Sequence, residues 1–463
     1  MPSATAKPRT KTASTRSSPA ARRRSELAWL KEVTAIPTAA GHEHRVIAWI
    51  ERWVKARRHL AIDRDAAGNL FIRPKAAPRS KKSAPAPILV TAHLDHPAFV
   101  VLSEPRRGVL GELGFELDVA STSLAAAPAA TKAGRRRGGP HPVSTVSITS
   151  PPSPTPIPPK VLARRGTFVL CEFRGGVHRP YFEEAAVEVI DAKNRRHGGT
   201  IVAVSDQASP HRRVIVELAG GSPAVLPGDL ARWRFDGRLP RIEDGLLFTH
   251  ACDDLAAVAA ALALLDRTSR RKELAHLGLL FTRAEEIGFI GAIAAARSKS
   301  IEKSARLLCL ENSRSFAESP IGGGPIVRVG DRISVFSPDL TNIVSQAATA
   351  HAADEAKAGR TFKWQRKLMA GGACEATAFA AYGYASTCLC LPLGHYHNMS
   401  RIDEAVAGER PAKVAPEFIS IEDYHGLIDL LEAVVSRLDA PDAAGRNRPL
   451  MEKLFAERRT VLE

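Results

Sequence analysis

Five short motifs of acidic residues and histidines occur along this chain, each after an apolar run. The motifs are, in order, His93-Leu94-Asp95, Asp253-Asp254, Glu285-Glu286, Glu311 and His395-Tyr396-His397. Four of the runs have the unbroken apolar pattern that is typical of strands covered on both faces, as in a parallel sheet. These runs span 87–91, 277–281, 307–310 and 387–391. Because open α/β sheets bind ligands at the carboxyl ends of their strands, we expect the motifs to meet in one crevice. Their oxygen and nitrogen atoms are the donors that a pair of hydrolytic zinc ions needs.

The first motif places two polar side chains on one side of an extended backbone, because side chains alternate along a strand. If His93 binds a metal, a carboxylate on its other ring nitrogen would fix its tautomer, and Asp95 is the candidate. His96 is adjacent and ranks below His93. The alternative is a strand-end histidine that is bonded to a nearby carboxylate without any metal.

The second motif lies at the start of an Ala/Leu-rich helix, which is predicted from Leu255 to Leu265. Carboxylates are favoured there by the helix dipole and by free backbone N–H groups, so one acid could simply be a cap. Capping explains only one of the two acids, so the other needs a different role. Asp253 is therefore predicted to bridge two metals and Asp254 to support it locally, with capping alone as the alternative.

The third motif places two carboxylates side by side at the end of a buried strand, where they repel one another unless a cation is present. A metal resolves this repulsion if one glutamate binds it and the other accepts a proton from water. A solvated loop is the alternative. Glu311 would bind one metal only, and the spacing of His395 and His397 leaves open which of them is a ligand.

Length and charge limit the remaining possibilities. A chain of 463 residues is too long for one ordinary core, so two domains are expected. A formal charge of +16 would by itself suggest a protein that binds nucleic acid. The excess positive charge, however, lies almost entirely in segments 1–25 and 122–166, which carry fourteen basic residues and no acid. The remainder is close to neutral, so nucleic acid is not expected as a partner. The basic, Ser/Pro-rich segments are predicted to be a disordered tail, 1–25, and a loop at about 122–160.

No apolar run is long enough for a membrane span, and no secretory signal is visible. The six cysteines have no zinc-ribbon spacing, which favours a reduced, cytoplasmic setting. Helical periodicity over 26–58 predicts two helices, broken by Pro37 and Gly41. Short alternating segments between about 100 and 245 predict an all-β region. We therefore expect a catalytic domain formed by 26–100 and 246–445, interrupted by a β domain at 101–245.

The ordered motifs resemble the dinuclear-metal aminopeptidases of the glutamyl/tetrahedral aminopeptidase family, sometimes called endoglucanase-like. That family has a His-x-Asp strand end, an Asp-Asp helix start, a Glu-Glu pair, a further acid and a late histidine. Its β-barrel-like insert lies between the first and second motifs, as the gap between Asp95 and Asp253 does here. Further similar stretches are Ile36-Pro37 with Gly41-His42-Glu43, Asp65-Ala66-Ala67-Gly68-Asn69 and Gly371-Gly372-Ala373-Cys374-Glu375. Two positions depart from the family pattern, with Leu255 in place of its Arg and Glu375 in place of its Asp.

The resemblance implies a three-layer α/β/α zinc-peptidase domain with an inserted all-β, barrel-like domain. It implies two divalent metal ions, zinc or else cobalt or manganese. Asp253 would bridge the ions, Glu285 would be the general base and Asp95 would orient His93. The remaining metal ligands would be His93, Glu286, Glu311 and His397.

The implied function is removal of N-terminal residues from peptides by a metal-activated water. The implied assembly is a homo-oligomer, a dimer or a dodecamer. Two alternatives remain open. One is a deacylase or carboxypeptidase of the wider clan, which would cleave N-acylated amino acids. The other is a non-catalytic scaffold whose basic arms hold an acidic partner.

Overall fold

The computed structural model describes residues 18–75, 85–117, 157–206, 211–220, 224–440 and 447–462. Most of the predicted basic tail and of the predicted loop at 122–160 lies outside these residues. Within these ranges, no helix combines the length and the apolar character that crossing a membrane requires.

Helices and strands alternate at both ends of the chain, and the middle is almost entirely strands. The α-helices are α1 Pro19–Val33, α2 His44–Lys55, α3 Pro159–Leu162, α4 Leu255–Thr268, α5 Ile290–Arg297, α6 Pro338–Lys357, α7 Glu375–Ala381, α8 Ile402–Val406, α9 Ile421–Val435 and α10 Asn447–Arg458. The strands are β1 Leu60–Arg64, β2 Leu70–Pro74, β3 Ile88–His93, β4 Ala98–Val101, β5 Arg106–Val109, β6 Arg165–Arg174, β7 Ala186–Ile190, β8 Arg196–Val204, β9 Arg212–Leu218, β10 Leu230–Trp233, β11 Arg241–Glu243, β12 Leu246–Thr249, β13 Leu277–Thr282, β14 Arg306–Arg314, β15 Ile326–Asp331, β16 Gln365–Met369, β17 Ala385–Leu393, β18 Met399–Ser400, β19 Lys413–Val414 and β20 Glu417–Ser420.

The larger sheet has eight strands in the order β1-β2-β13-β3-β14-β17-β15-β16. Its four central strands, β13, β3, β14 and β17, are parallel to their neighbours within this set. These are the four apolar runs that the sequence predicts as buried strands. All six residues of β13 are buried, and so are eight of the nine in β17. The parallel, doubly covered sheet is confirmed.

Apolar side chains on the two faces of this sheet belong to separate clusters. On β3, Val90 packs in the cluster that includes α4 and α9, while Leu89 contacts the cluster that includes α5 and α7. Alternate residues of one strand thus face different helices, as expected for a strand buried on both sides. The predicted α/β/α layering is confirmed.

The middle of the chain forms a second sheet that closes on itself. Strands β4, β10, β7, β8, β9 and β6 follow one another, and β6 pairs back to β4, while β5 extends the outer end of β6. Four aromatic rings fill the interior, with centroids 4.8–6.0 Å apart. They belong to Phe99, Phe173, Phe182 and Trp233. The predicted barrel-like insert is confirmed, and its assignment to a separate domain at 101–245 stays a prediction.

Helix α1 begins before residue 25, within the segment that the sequence predicts as a basic tail. The helix begins at Pro19, because the Ser18 hydroxyl accepts the Ala21 N–H and proline is favoured at the first helical position. Arg23 in its first turns then donates to Asp429 of α9 at 2.8 Å. The basic residues 22–24 are therefore part of a helix. The predicted break between the first two helices falls where expected, between Val33 and His44.

A buried ion pair between α1 and α4 predicts how the fold responds to acid. Arg267 donates to both oxygens of Glu26, at 2.7 and 2.9 Å. Burial alone would raise the pKa of Glu26, but His425 and Arg267 lower it to about 2. The pair should stabilise the fold fully above about pH 4.5 and lose this effect as the pH falls towards 2.

We therefore expect Glu26→Gln to lower the free energy of unfolding by about 3 kcal/mol at pH 7 and by much less near pH 2.5. Urea unfolding at both pH values measures this. Glu51→Gln is the control, because it removes only an exposed ion pair with Arg64 and should change stability little. A Glu26→Gln penalty that is equal at the two pH values would contradict the account.

Candidate metal centre

Side chains from five separate elements meet at the carboxyl edge of the central sheet. They come from the end of β3, from within β14, from the loops that follow β13 and β17 and from the residues just before α4, and all of them line one cavity. The set comprises His93, Asp253, Glu285, Glu286, Glu311 and His397. The structure therefore brings together the predicted base and every predicted metal ligand.

Asp253 lies between two histidines. Its Oδ1 atom is 3.4 Å from His93 Nε2, and its Oδ2 atom is 3.4 Å from His397 Nε2. His93 Nε2 is also 3.8 Å from Glu311 Oε1, and His397 Nε2 is 3.2 Å from Glu286 Oε1. Two groups of possible ligands share Asp253: one also contains His93, Asp254 and Glu311, and the other contains Glu286 and His397. A third group contains His93, Glu285 and Glu286.

The donor atoms in each group have the spacing of ligands around one ion. Ligands of a tetrahedral zinc ion lie about 3.3 Å from one another, given metal–ligand distances near 2 Å. Asp253 Oδ1 and Glu286 Oε1 are also buried without a hydrogen-bond partner in the described part of the chain. A buried carboxylate oxygen without a partner is costly unless a cation is close. The residues therefore fit divalent metal ions.

The pKa values show how strongly the cluster attracts positive charge. Burial would lower the pKa of His93 and His397, but the neighbouring carboxylates raise both values well above the ordinary range. Burial would raise the pKa of Asp253, but His397 and His93 lower it. Burial raises the pKa of Glu311, and the charge of Asp253 adds to this effect. A metal ion would supply the charge that protons on the histidines otherwise provide.

The carboxylate of Asp95 holds the backbone of the Glu285–Glu286 pair in place. Its carboxylate accepts the N–H groups of Glu285 and Glu286, at 3.0 and 3.1 Å. The nearest contact of His93 Nδ1 is the carbonyl oxygen of Asp95 at 3.1 Å, with the carboxylate at 3.5 Å. The predicted orientation of His93 thus involves the backbone of Asp95 more closely than its side chain.

Two early residues fix the loop that carries the glutamate pair. Glu43 accepts the N–H of Ala284 at 3.1 Å and pairs with the Arg283 side chain at 2.7 Å. Asn69 accepts the N–H of Arg283 at 3.1 Å. The Gly41-His42-Glu43 and Asp65–Asn69 stretches, noted in the sequence only as similarities, therefore position the residues that follow β13.

The structure separates the two late histidines. His397 faces the cluster, and its Nδ1 atom lies 2.7 Å from the carbonyl oxygen of Gly176, which follows barrel strand β6. His395 turns away, with its Nδ1 atom 2.9 Å from the carbonyl oxygen of Pro416 and its ring against Phe418. Only His397 is placed to act as a ligand.

We expect His397→Ala to reduce bound metal and to lower kcat/KM at least about 100-fold, because a ligand is lost. His395→Ala is the matched control and should lower kcat/KM no more than about fivefold. Elemental analysis and initial rates measure both effects. Equal losses in the two variants would contradict the assignment.

The side chain of Asp254 does not cap helix α4, because its oxygens are hydrogen bonded elsewhere. Its two oxygens accept the side-chain amide of Asn312 at 2.8 Å and the N–H of His93 at 3.3 Å. It makes no side-chain capping hydrogen bond to α4. The structure therefore does not support the alternative in which the acidic pair only caps the helix. Asp254 instead supports the end of β3, where His93 lies.

Glu417 is a buried site residue that the sequence analysis missed. One of its oxygens accepts the N–H groups of Cys252 and Asp253, at 2.6 and 3.1 Å, and the other accepts the N–H of His397 at 2.8 Å. Burial raises its pKa to about 7, although His96 opposes this. The only signal in the sequence is a single acid at the start of an apolar strand. Glu417 joins the loops of two predicted ligands.

The cluster lines a cavity of about 630 Å³. Gly176 and His178, which follow barrel strand β6, also line it, as do residues of β15 and of the Gly371–Gly372 turn. Glu375, where the family has an aspartate, lies behind the cluster at the start of α7. Burial raises its pKa to about 7.

Comparison with known proteins supports the predicted relationship. Residues 223–407 match the model of the M42 glutamyl aminopeptidase family. That segment contains Asp253, Glu285, Glu286, Glu311 and His397. A search of curated proteins finds no match.

Solved structures share the fold. The TET1 peptidase of Pyrococcus horikoshii is 18% identical with a TM-score of 0.58, and the match covers 89% of this chain and 99% of that one. An aminopeptidase from the archaeon Desulfurococcus kamchatkensis is 16% identical with a TM-score of 0.60, covering 92% and 98%. A TET aminopeptidase from a marine sediment archaeon, Thaumarchaeota archaeon SCGC AB-539-E09, is 15% identical with a TM-score of 0.60, covering 91% and 99%.

The family match over the segment that carries most of the site, together with the shared fold, confirms the resemblance: residues 223–407 of this chain are similar to the M42 glutamyl aminopeptidases, a family of peptidases.

Proposed function

We propose that this protein removes N-terminal residues from peptides with two divalent ions, most readily zinc, held in the cluster around Asp253. The observation that carries the proposal is the position of Asp253, whose two oxygens each face a different histidine at 3.4 Å. His93 and Glu311 would hold one ion, and His397 and Glu286 the other. Imidazole and carboxylate donors also accept cobalt or manganese.

Two ions bound there would polarise a peptide carbonyl and make a nearby water more acidic. The chain's own residues would do the rest. Glu285 lines the cavity, and its Oε2 atom is 3.9 Å from His93 Nε2, farther than Glu286 Oε1 is from His397 Nε2. Glu285 is thus the glutamate that is left to accept the proton of the attacking water and pass it to the leaving amine.

Asp95 acts as a positioning residue in this scheme. By accepting the N–H groups of both glutamates, its carboxylate fixes the backbone of the base and of the ligand beside it. Glu417 plays the same part for Asp253 and His397. The barrel contributes Gly176, whose carbonyl oxygen fixes the ring of His397 and leaves its Nε2 atom facing the cluster.

The proposal extends to assembly and location. The TET1 peptidase of Pyrococcus horikoshii can assemble into a tetrahedron or a large octahedral shell, and we propose that this chain also forms a homo-oligomer, a dimer or dodecamer. A cytoplasmic setting is supported by the six cysteines, all of which are buried and free.

Two peptide sets of the same sequence, one with a free N-terminal amine and one N-acetylated, test the reaction. We expect single residues to be released in order from the free-amine set only. Release of acetylated residues alone would contradict the proposal and favour the deacylase function.

A further inference from the structure

His96 is buried beside the metal cluster but is not one of its possible ligands. Only 5% of its surface is exposed. Within the described part of the chain it belongs to none of the groups of possible ligands, and it does not line the cavity. Its ring lies nearly perpendicular to that of His397, with the two centroids 6.4 Å apart. The residue that the sequence ranks below His93 as a candidate ligand therefore needs a different explanation.

Each ring nitrogen of His96 contacts a different segment that carries a predicted ligand. Nδ1 donates to the backbone carbonyl oxygen of Asp253 at 2.5 Å, because a carbonyl oxygen can only accept. Nε2 lies 3.2 Å from Oδ1 of Asn398, the residue that follows His397. The side chain of His96 thus joins the residues just before α4 to the turn that follows β17.

The side chain of Asn398 is held in one orientation. Its amide nitrogen donates to the carbonyl oxygens of His250 and Ala415, at 3.0 and 3.3 Å. The amide oxygen therefore faces His96, because the reversed amide would place its oxygen against two carbonyl oxygens. Asn398 is buried, so each of these contacts is shielded from water. Loss of His96 would leave the amide oxygen without this contact.

The turn that carries His397 has a backbone conformation that needs support. His395, His397 and Asn398 have positive φ angles of 52°, 54° and 63°. Residues other than glycine rarely adopt this left-handed conformation, because the side chain crowds the backbone, and they keep it where surrounding contacts hold them. Glu417 holds His397 by accepting its N–H group at 2.8 Å, and His96 contacts the next residue.

We propose that His96 is a positioning residue for the ion that Asp253, Glu286 and His397 would bind. Its side chain holds the turn against the backbone of Asp253, so that His397 Nε2 stays 3.4 Å from Asp253 Oδ2. Without His96 the turn is free to relax, and His397 moves away from its partners. His93 lies at the end of a central strand and does not depend on this turn, so the ion on its side should be affected less. This inference rests on the proposed function, because it needs an ion in each place.

The zinc affinity of His96→Ala tests the proposal without depending on the rate of hydrolysis. Titration against a competing chelator measures the dissociation constants of the two ions. We expect one of the two constants to rise at least about tenfold and the other to change by less than about threefold, because a residue that orients a ligand is lost from one place only. Equal weakening of both ions, or no change in either, would overturn the proposal.

Two further variants show whether His96 acts through the turn. Asn398→Gly tolerates the positive φ but removes the contact with His96, so it should weaken the same ion. The double variant His96→Ala/Asn398→Gly should be no more than about threefold weaker than the weaker single variant, because both changes remove one shared contact. His96→Gln keeps an N–H group near the position of Nε2 and should hold the constant within about fivefold of the wild-type value. Effects that simply multiply in the double variant would overturn the role of the turn.

The matched control is His351→Ala, because His351 lies on α6 with its ring against Phe362. This variant should bind both ions as the wild-type protein does. If the wild-type protein binds fewer than two ions, the proposed function fails and this inference fails with it. If it binds two and His96→Ala binds both as tightly, only the positioning role is wrong. Should His96→Ala fail to fold, Asn398→Gly decides, and unchanged binding of both ions there would overturn the proposal.

Discussion

Replacing Glu285 with Gln is expected to lower kcat by a factor of about 100 to 10,000 while both metal ions remain bound. The substitution keeps the size and hydrogen-bonding shape of the side chain but removes its ability to accept a proton. Glu285 is the glutamate farther from its histidine, so its loss should leave the ligands of both groups intact. Steady-state rates and elemental analysis of the same sample measure the two effects.

Two comparisons give this prediction its specificity. Glu286→Gln should lose metal as well as activity, because Glu286 Oε1 lies 3.2 Å from His397 Nε2 in the same group. Glu318→Gln, on the exposed loop after β14, should behave like the unchanged protein. Near-normal turnover in Glu285→Gln would show that another group is the base. If Glu285→Gln lost metal and Glu286→Gln kept it, the roles of the two glutamates would be reversed.

Replacing Asp253 with Asn is expected to remove most of the bound metal and to lower activity at least about 1000-fold. The carboxylate faces both histidines, so one substitution should weaken both groups together. The amide keeps one acceptor oxygen but carries no charge, and its N–H group would not hold a metal ion.

Asp244→Asn is the matched control for this substitution. Asp244 is exposed in the turn between β11 and β12 and has a positive φ of 49°, a backbone conformation that asparagine tolerates well. It should keep full metal content and activity. If Asp253→Asn retained two metals per chain, the bridging role would be wrong even if activity fell.

The sequence was sufficient for the parts of the site that lie on local patterns. Unbroken apolar runs mark strands covered on both faces, and the polar residue at the end of each run marks the edge where they meet. His93 and Glu311 were predicted in this way. The adjacent acids at 253–254 and 285–286 stood out because like charges in a buried place need a cation.

The residues that hold those side chains in place could not be predicted, because their contacts join distant parts of the chain. Glu417 contacts residues 164 and 165 positions earlier, and Gly176 contacts His397 across 221 positions. Neither has a local pattern that indicates a site. The choice between His395 and His397 depended on backbone turns that spacing does not determine. The helix start at Ser18-Pro19 was also missed, because the basic composition of the segment concealed it.

The most direct test of the account is the metal content of the purified protein before and after chelation, measured with the release of N-terminal residues from free-amine peptides. The account predicts about two divalent metal ions per chain, loss of hydrolysis when they are removed, and recovery of hydrolysis when zinc, cobalt or manganese is added back. A chain that binds no metal in excess zinc or cobalt, or that hydrolyses peptides equally well without metal, would contradict it.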